Sequence, residues 1–359
     1  MAIKAIFTGG GSAGHVTPNI ALMRTLLAEG YELHYIGTAE GIEHELIARM
    51  EQVTYHSIHA GKLRRYFSLK NIADAFRVLR GIGEARRIVK RVQPDVLFSK
   101  GGFVSVPAVI GAKGRCPVVV HESDYSPGLS NKIANRYATT VCVTFEDTLA
   151  HVGAKGVFTG TPIRKELYAG NAARGFQFTG LAEGKPVLLM MGGSLGAAAV
   201  NEALREALPQ LLQNFQVVHL CGKGKTEPAL VQEGYVQYEF ISEELPDLLA
   251  MADIVLARAG ANAVFEFLAL QKPALLIPLP LSASRGDQIQ NAAYFQKKGY
   301  ADVLAQEELC ADTLYERLIA LYRDRLAYID AMRLAPHADG TEAVLSAIRA
   351  AVQSNAKQV

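Results

Sequence analysis

The sequence predicts an α/β protein made of two Rossmann-like, doubly wound domains. Strand and helix patterns alternate from the first residues, pause near residue 160 and restart at residue 187. Such alternation is typical of parallel sheets with helices on both faces. With 359 residues, the chain is also longer than the size at which a single hydrophobic core keeps growing. We therefore expect a first domain over residues 1–160, a second over 161–337, and a cleft between them.

The first half opens with a short apolar strand (2–7) and a glycine-rich loop (9–15). Thr17 is a favourable helix N-cap, and Pro18 suits the first helical position. The predicted helix runs to Glu29, where Gly30 ends it. Further strands are expected at 31–36, 95–99, 117–121 and 140–144.

The second half repeats this order of elements. A strand (187–191), a glycine-rich loop (192–196) and a helix (197–212) are followed by strands at 217–220, 254–257 and 273–278. The stretch 338–353 has a helical pattern. Each half therefore begins with strand, glycine-rich loop and helix, the order found at phosphate-binding turns.

Composition and charge exclude several classes of protein. Half of the residues are hydrophobic, and 37 basic against 35 acidic residues give a net charge of +2, so neither a disordered chain nor a nucleic-acid-binding protein is indicated. Four widely spaced cysteines predict neither zinc nor disulfides. No apolar run is long enough to span a membrane, which suggests a cytosolic protein or one on a membrane surface. The charge is uneven, with 19 basic and 13 acidic residues in 1–160 but 18 and 22 in 161–359.

The first glycine loop is Gly9-Gly10-Gly11-Ser12-Ala13-Gly14. It fits a dinucleotide fingerprint, but that fingerprint also needs an acidic residue closing the second strand, and Glu40 lies past this point. The alternatives are a tight turn that packs a helix on a strand, or a loop whose amides bind another anion. His15 follows directly and is a candidate acid–base residue, although a lone histidine is more often structural.

The second half carries three further motifs. Ser194 lies in a glycine turn at a helix N-terminus, which suits a diphosphate. Glu266 is about two turns into the helix that follows Arg258, where it could accept the hydroxyls of a ribose or simply pair with a neighbour. Gln288, after Pro278-Leu279-Pro280, is suited to sugar hydroxyls. The chain has no D-x-D metal motif, so helix ends and a cation such as Arg164 would meet the leaving-group charge.

Residues 62–91 hold ten basic and two acidic side chains. In a helix over 69–92, Lys70, Arg77, Arg80, Arg87 and Arg91 share one face, opposite an apolar face. This pattern fits an ordinary amphipathic helix or a surface attracted to anionic lipid headgroups. Tyr66 and Phe67 nearby could enter the membrane interface.

Seven motifs in order resemble the MurG family of peptidoglycan N-acetylglucosaminyltransferases. They are 10–18 (GGSAGHVTP), 100–107 (KGGFVSVP), 121–122 (HE) with 127–132 (PGLSNK), 160–164 (GTPIR), 192–194 (GGS), 258–266 (RAGANAVFE), and Asp287-Gln288 with Asn291-Ala292. Any one of them is weak, but together they cover nearly the whole chain.

The resemblance implies a fold of the glycosyltransferase B type, with the C-terminal helix (about 338–359) returning to the first domain. It implies transfer of GlcNAc from UDP-GlcNAc to undecaprenyl-diphospho-MurNAc-pentapeptide at the cytoplasmic face of the bacterial membrane. Other cell-wall synthesis proteins are further partners, no cofactor is required, and magnesium is left open as a stimulant. The family's substrate contacts fall on Ser12, Ala13, Gly14, Arg164, Ser194, Ile241 (through its backbone), Ala261, Asn262, Ala263, Glu266 and Gln288.

The family resemblance also frames the chemistry. His15 is our candidate base for the acceptor's C4 hydroxyl, with Asp124 and Glu122 as rivals. Ser123-Asp124 stand where the family often has Gln-Asn, so Asp124 takes the place of an Asn that contacts the donor sugar. The rival functions are a transferase for another lipid acceptor, a UDP-GlcNAc epimerase, and a nucleotide-sugar sensor that is not an enzyme.

Overall fold

The computed structural model describes residues 2–61, 69–193 and 196–356, and the side chains of all of these except 69–73. The chain divides into two compact units. Unit 1 comprises residues 1–164 and 339–359, and unit 2 comprises residues 165–338. Residues 161–164 thus belong to unit 1, whereas the sequence analysis assigns them to the second domain.

Unit 1 is built on a seven-stranded parallel sheet in the order β3-β2-β1-β4-β5-β6-β7. Its strands are β1 (Lys4–Thr8), β2 (Glu32–Gly37), β3 (Val53–Ser57), β4 (Val96–Ser99), β5 (Val118–Glu122), β6 (Thr140–Val143) and β7 (Gly156–Phe158). The helices between them are α1 (Thr17–Ala28), α2 (Ile42–Ile47), α3 (Leu69–Val92), α4 (Ser105–Ala112), α5 (Leu129–Ala134) and α6 (Leu149–Val152). The chain order reverses between β1 and β4, and in open α/β sheets ligands bind outside the carboxyl ends of strands at such a point.

Two apolar layers cover the faces of this sheet. One joins α1 to the C-terminal helix α14 (Thr341–Ala356), with Leu22, Leu26, Leu345 and Ile348 packed beneath Phe7. The other places α3 and α4 against the strands on the opposite face. The C-terminal helix therefore completes the core of unit 1, and Arg349 on it pairs with Glu29 at the end of α1.

Unit 2 has a six-stranded parallel sheet in the order β10-β9-β8-β11-β12-β13. Its strands are β8 (Val187–Met191), β9 (Gln216–Leu220), β10 (Tyr235–Tyr238), β11 (Ile254–Ala257), β12 (Ala274–Leu276) and β13 (Asp302–Val303). Its helices are α7 (Ala172–Thr179), α8 (Ala198–Asn214), α9 (Leu245–Met251), α10 (Ala261–Ala269), α11 (Asp287–Lys297), α12 (Ala311–Arg323) and α13 (Arg325–Arg333). Here the order reverses between β8 and β11.

The predicted α/β class with two doubly wound sheets is confirmed. One detail is wrong, because Thr17 is already inside α1 and Val16 is its N-cap. A short 3-10 turn (Ala13–His15) runs almost directly into this helix, and the Thr17 hydroxyl donates to the carbonyl oxygen of Ala13 at 3.2 Å. Among the described helices, none is long and apolar enough to span a membrane.

Candidate active site

The first glycine loop lies at the point where the order of strands reverses in unit 1. It leaves β1 and faces the loop that leaves β4. A Cβ atom on Gly102 would lie 2.1 Å from the carbonyl oxygen of Gly10 and 3.0 Å from Cδ2 of His15. The two loops therefore touch through backbone, and only a glycine at 102, with its φ of +82°, allows this approach.

Buried polar side chains hold the base of this glycine loop. The Tyr35 hydroxyl donates to the carbonyl oxygen of Gly9 at 2.7 Å. Asn19 donates to the carbonyl oxygen of Thr8 at 3.2 Å and to the Tyr35 hydroxyl at 3.1 Å. Because Tyr35 and Asn19 are fully buried, these bonds are shielded from water and fix where the loop begins.

The predicted substrate contacts of this loop lie at its outer edge. Ser12 and Ala13 are exposed, and Gly14 and His15 are half-buried. The amide of His15 donates to the carbonyl oxygen of Ser12 at 3.1 Å, which closes the 3-10 turn. His15 is thereby placed beside both loops, within reach of solvent, as a residue that exchanges a proton with a substrate must be.

A buried lysine links three segments at the same edge of the sheet. Lys100 is fully buried, and its ammonium contacts the Nδ1 atom of His121 at 2.9 Å, the hydroxyl of Ser123, and the hydroxyl of Thr161 at 3.4 Å. His121 contacts the carbonyl oxygen of Gly160 through Nε2 at 2.9 Å. This ring nitrogen must donate to a carbonyl, so Nδ1 accepts from Lys100 and His121 is the neutral tautomer.

Burial dominates the ionisation of this cluster. It lowers the pKa of Lys100 to about 7, against the attraction of Glu122 and Asp124. Burial and the nearby Lys100 charge also lower the pKa of His121 well below its ordinary value, in agreement with the neutral tautomer. In the sequence Lys100 is recognisable only as part of the motif 100–107, and nothing local indicates that it is buried.

Glu122 holds the loop between β5 and α5 through hydrogen bonds. Its carboxylate accepts from the amides of Asp124 (2.9 Å) and Gly128 (3.3 Å) and from the Asn131 side chain (2.8 Å). Burial, followed by repulsion from Asp124, raises its pKa to about 7. Glu122 is 3% exposed, whereas Asp124 is half-buried, so of these two acids only Asp124 is accessible.

Unit 2 has a pocket of about 720 Å³ at the corresponding point of its own sheet. The loops after β8, β9, β11 and β12 all contribute to it. Its lining includes Gly192, Gly193, Gly196, Lys225, Arg258, Gly260, Ala263, Leu279, Gln288 and Gln306. A pocket of this size, lined mainly by glycine, alanine and a few polar groups, suits a nucleotide.

Arg258 and Gln288 shape this pocket by bonding to its backbone. Arg258 donates to the carbonyl oxygens of Ile277 (3.0 Å) and Pro278 (3.4 Å) and to Gln306 (2.7 Å), and burial lowers its pKa. Gln288 accepts from the amide of Leu279 at 3.1 Å. Both side chains therefore fix the loop after β12.

Two of the predicted donor residues line this pocket, and three more lie on the helix that carries one of them. Ala263 and Gln288 line the pocket. Ala261, Asn262 and the half-buried Glu266 lie on α10 with Ala263. Ile241 lies in the loop after β10, Arg164 is the last residue of the first segment of unit 1, and Ser194 lies outside the described residues.

Lys225 is a pocket residue that sequence analysis missed. It follows β9 in the run Gly222-Lys223-Gly224-Lys225, and a glycine- and lysine-rich run after a buried strand could have indicated it. Its ammonium makes no hydrogen bond within the described part of the chain. In the same described ranges, no group of three or more His, Cys, Asp or Glu side chains could hold a metal ion.

Two family models match the two halves of the chain separately. The model of the glycosyltransferase family 28 N-terminal domain matches residues 5–143, and that of the C-terminal domain matches residues 187–344. The chain belongs to glycosyltransferase family 28. Both family 28 domains thus span the sheets whose carboxyl edges carry the glycine loops.

Named relatives are similar over nearly the whole chain. A protein of Clostridium botulinum (strain Loch Maree / Type A3) is 51% identical over 349 residues, covering 96% of this chain and 98% of its own. One of Lachnospira eligens (strain ATCC 27750 / DSM 3376 / VPI C15-48 / C15-B4) is 52% identical with the same coverage. Both are named UDP-N-acetylglucosamine--N-acetylmuramyl-(pentapeptide) pyrophosphoryl-undecaprenol N-acetylglucosamine transferase.

A solved structure supports the same assignment. The crystal structure of Acinetobacter baumannii MurG aligns with a TM-score of 0.77 at 25% identity and covers 97% of this chain and 99% of that one. The resemblance to the peptidoglycan N-acetylglucosaminyltransferases within family 28 is confirmed.

Helix α3 of this family 28 chain has the predicted bounds. Phe76 and Leu79, two apolar residues in its first half, are 68% and 64% exposed. The core is contacted instead by Ala85, Ile88, Val89 and Val92 in the second half of the helix. Arg77, Arg80 and Arg87 are exposed, and Tyr66 and Phe67 lie outside the described residues.

Proposed function

We propose that this protein transfers GlcNAc from UDP-GlcNAc to the C4 hydroxyl of undecaprenyl-diphospho-MurNAc-pentapeptide, with inversion at the anomeric carbon. The observation that carries the proposal is the 51% identity, over 96% of the chain, to a relative named for this transfer. In this proposal unit 1, which includes the C-terminal helix, holds the acceptor, and unit 2 holds the donor.

The pocket of unit 2 is the proposed donor site. The glycine turn after β8, with Ser194 and the N-terminus of α8, would receive the diphosphate of UDP. Glu266 would accept both ribose hydroxyls, and the backbone at Ile241 would contact uracil. Lys225 adds a cation at the pocket wall, and together with Arg164 it would balance the charge that develops on the departing UDP.

The glycine loop of unit 1 is the proposed acceptor site, with His15 as the base. Ser12 and Ala13 are exposed residues of this loop, and their backbone amides would receive the acceptor's diphosphate. The imidazole of His15 offers a ring nitrogen that can take the proton from the attacking C4 hydroxyl as the bond to the anomeric carbon forms and the bond to UDP breaks.

Glu122 and Asp124, the two alternatives to His15 as the base, differ in their contacts. Glu122 is buried and its oxygens already accept three N–H donors, so its role is to hold the loop after β5. Asp124 is accessible and remains the alternative base or a contact for the donor sugar.

The decisive experiment incubates labelled UDP-GlcNAc with the lipid-linked muramoyl-pentapeptide and looks for label in the lipid fraction. Labelled lipid is the expected result. A different lipid acceptor as the better substrate, release of epimerised sugar, or binding without any turnover would each favour one of the rival functions. UDP-glucose in place of UDP-GlcNAc tests the choice of donor.

His15→Ala tests the base within this assay. We expect kcat to fall by roughly 100-fold or more while the KM for UDP-GlcNAc stays the same. Asp124→Asn is the comparison variant. Near-normal turnover of His15→Ala at saturating acceptor would contradict the assignment.

We further propose that the exposed half of α3 binds the cytoplasmic surface of an anionic membrane. The exposed apolar side chains of Phe76 and Leu79 lie on the same two turns as Arg77 and Arg80. Apolar side chains that enter the interface beside cations that meet headgroups are typical of peripheral attachment, and each basic residue near the surface contributes about 1 kcal/mol.

Vesicle binding tests this surface. Replacing Arg77, Arg80 and Arg87 together by glutamine should abolish binding to vesicles that contain anionic lipid. Binding to neutral vesicles should be the same as for wild type. The matched control removes three exposed charges from unit 2, at Lys223, Arg323 and Arg333. Equal binding by the α3 variant and the control would refute the proposal.

A further inference from the structure

Glu43 is a fully buried carboxylate that none of the roles above uses. It lies in the first turn of α2. One oxygen accepts from the amide of Gly11 at 3.2 Å, and the other accepts from the amide of Thr38 at 3.1 Å and from the Thr38 hydroxyl at 2.5 Å. The side chain therefore joins the first glycine loop to the end of β2.

Three glycines leave the space that this carboxylate fills. A Cβ atom on Gly10 would lie 2.6 Å from the Glu43 carboxyl group, one on Gly41 would lie 2.2 Å from it, and one on Gly37 would lie 2.8 Å from its Cγ atom. A side chain at Gly10 or Gly41 would displace Glu43, and one at Gly37 would clash both with Glu43 and, at 2.2 Å, with the Tyr55 hydroxyl. The loop, the end of β2 and the start of α2 are thus shaped around one buried anion.

This arrangement explains what the first glycines of the loop do. In a dinucleotide-binding turn the corresponding amides point at a pyrophosphate. Here the Gly11 amide already donates to an internal carboxylate, so no phosphate can use it. Ser12 and Ala13 are exposed residues, and because their amides make no hydrogen bond within the described ranges, they are the ones left for an external anion.

Glu43 also fixes the turn that carries His15. The Gly11 amide is held by Glu43, the Gly9 carbonyl is held by Tyr35, and the next carbonyl along the chain after Gly11, that of Ser12, accepts from His15. Hydrogen bonds on both sides of the three glycines leave the loop one arrangement, despite the conformational freedom of glycine.

We propose that Glu43 is a positioning residue: it occupies the Gly10–Gly11 half of the glycine loop as an internal anion and thereby directs the acceptor's diphosphate to the Ser12–Ala13 half, beside His15. The proposal rests on the proposed transferase function for its substrate. It assigns to Glu43 no contact with the substrate itself.

Glu43→Gln is the main test, because glutamine keeps the shape but offers an N–H group where two backbone amides need acceptors. We expect kcat/KM for the lipid acceptor to fall roughly 10- to 100-fold, with the KM for UDP-GlcNAc unchanged and the melting temperature lower by only a few degrees. Glu45→Gln, an exposed acid on the same helix, is the control and should behave as wild type. Thr38→Val removes only the hydroxyl donor and should give a smaller effect in the same direction.

Hydrogen exchange of the amides of residues 9–16 supplies a readout that needs no activity. We expect faster exchange in Glu43→Gln than in wild type or Glu45→Gln. Wild-type acceptor kinetics in Glu43→Gln, unchanged exchange, or an equal loss for donor and acceptor with a lower melting temperature would overturn the proposal. An inactive wild-type protein whose loop still exchanges faster in the variant would overturn only the transferase function.

Discussion

Replacing Lys100 by methionine should change how the stability of the protein depends on pH. Burial lowers the pKa of this lysine from its ordinary value of 10.5 to about 7 in the folded protein. Between these two pH values the unfolded chain binds a proton at Lys100 that the folded chain lacks. Stability rises with pH wherever the unfolded state binds more protons, so Lys100 makes the wild-type protein more stable as the pH rises from 7 to 10.5.

The size of the effect follows from the two pKa values. At 1.36 kcal/mol for each pKa unit, the difference between 10.5 and about 7 corresponds to about 5 kcal/mol over the whole range. About 3 kcal/mol of this falls between pH 7.5 and pH 10.

Urea unfolding of both proteins across this range measures the effect. The free energy of unfolding of the wild type, relative to Lys100→Met, should increase by about 3 kcal/mol from pH 7.5 to pH 10. Lys155→Met, which removes an exposed lysine of unit 1, should leave the pH dependence as in wild type. A wild-type minus Lys100→Met difference that is flat with pH would refute the reasoning, because the burial of the charge would then have no effect on ionisation.

Three further outcomes follow from unit 2. Lys225→Met should weaken UDP binding by roughly 10- to 100-fold in calorimetry, whereas Lys223→Met, an exposed neighbour, should not. Gly196→Ala should lower the melting temperature strongly, because its Cβ atom would lie 2.1 Å from a backbone carbonyl oxygen. Gly184 also has a positive φ, but no atom lies within 4 Å of a Cβ placed there. Gly184→Ala should therefore lower the free energy of unfolding by only about 1 kcal/mol, through backbone strain. Glu266→Gln should raise the KM for UDP-GlcNAc and leave that for the acceptor unchanged. Equal effects of the two lysine variants on UDP binding, equal effects of the two glycine variants on stability, or an equal rise of both KM values in Glu266→Gln would contradict these assignments.

Strands buried on both faces could be predicted from the sequence, and edge strands could not. The strand Val187–Met191 is apolar throughout and almost wholly buried, as parallel strands covered by helices are. The missed strand Val53–Ser57 lies at the edge of the sheet, where only its first residue is buried. The missed strands Gly156–Phe158, Tyr235–Tyr238 and Asp302–Val303 are edge strands as well, and their short, partly polar runs do not differ from loops.

In the candidate site, too, features encoded by neighbouring residues could be predicted, and contacts between distant segments could not. Glycine turns after strands are local signals, so the loop at Ser12 and the turn before α8 were found. Glu43 looks like any acid at the start of a helix, and its burial depends on Gly10 and Thr38, which come from other segments. Only the fold shows that these residues meet, since tertiary contacts are not encoded in local patterns.

Two buried ionisable side chains hold neighbouring loops at the edge of the unit 1 sheet. Glu43 holds the loop after β1 through backbone amides, and Lys100 ties the loop after β4 to the loop after β5 and to Thr161. Burying a polar or ionisable group costs stability that burying an apolar side chain does not, so packing alone does not account for either residue. Proteins depart from ordinary packing rules in this way mainly at functional sites, where a fixed geometry is needed. The loops that Glu43 and Lys100 hold also carry His15 and Asp124, which leads us to infer that both side chains serve the geometry of the reaction.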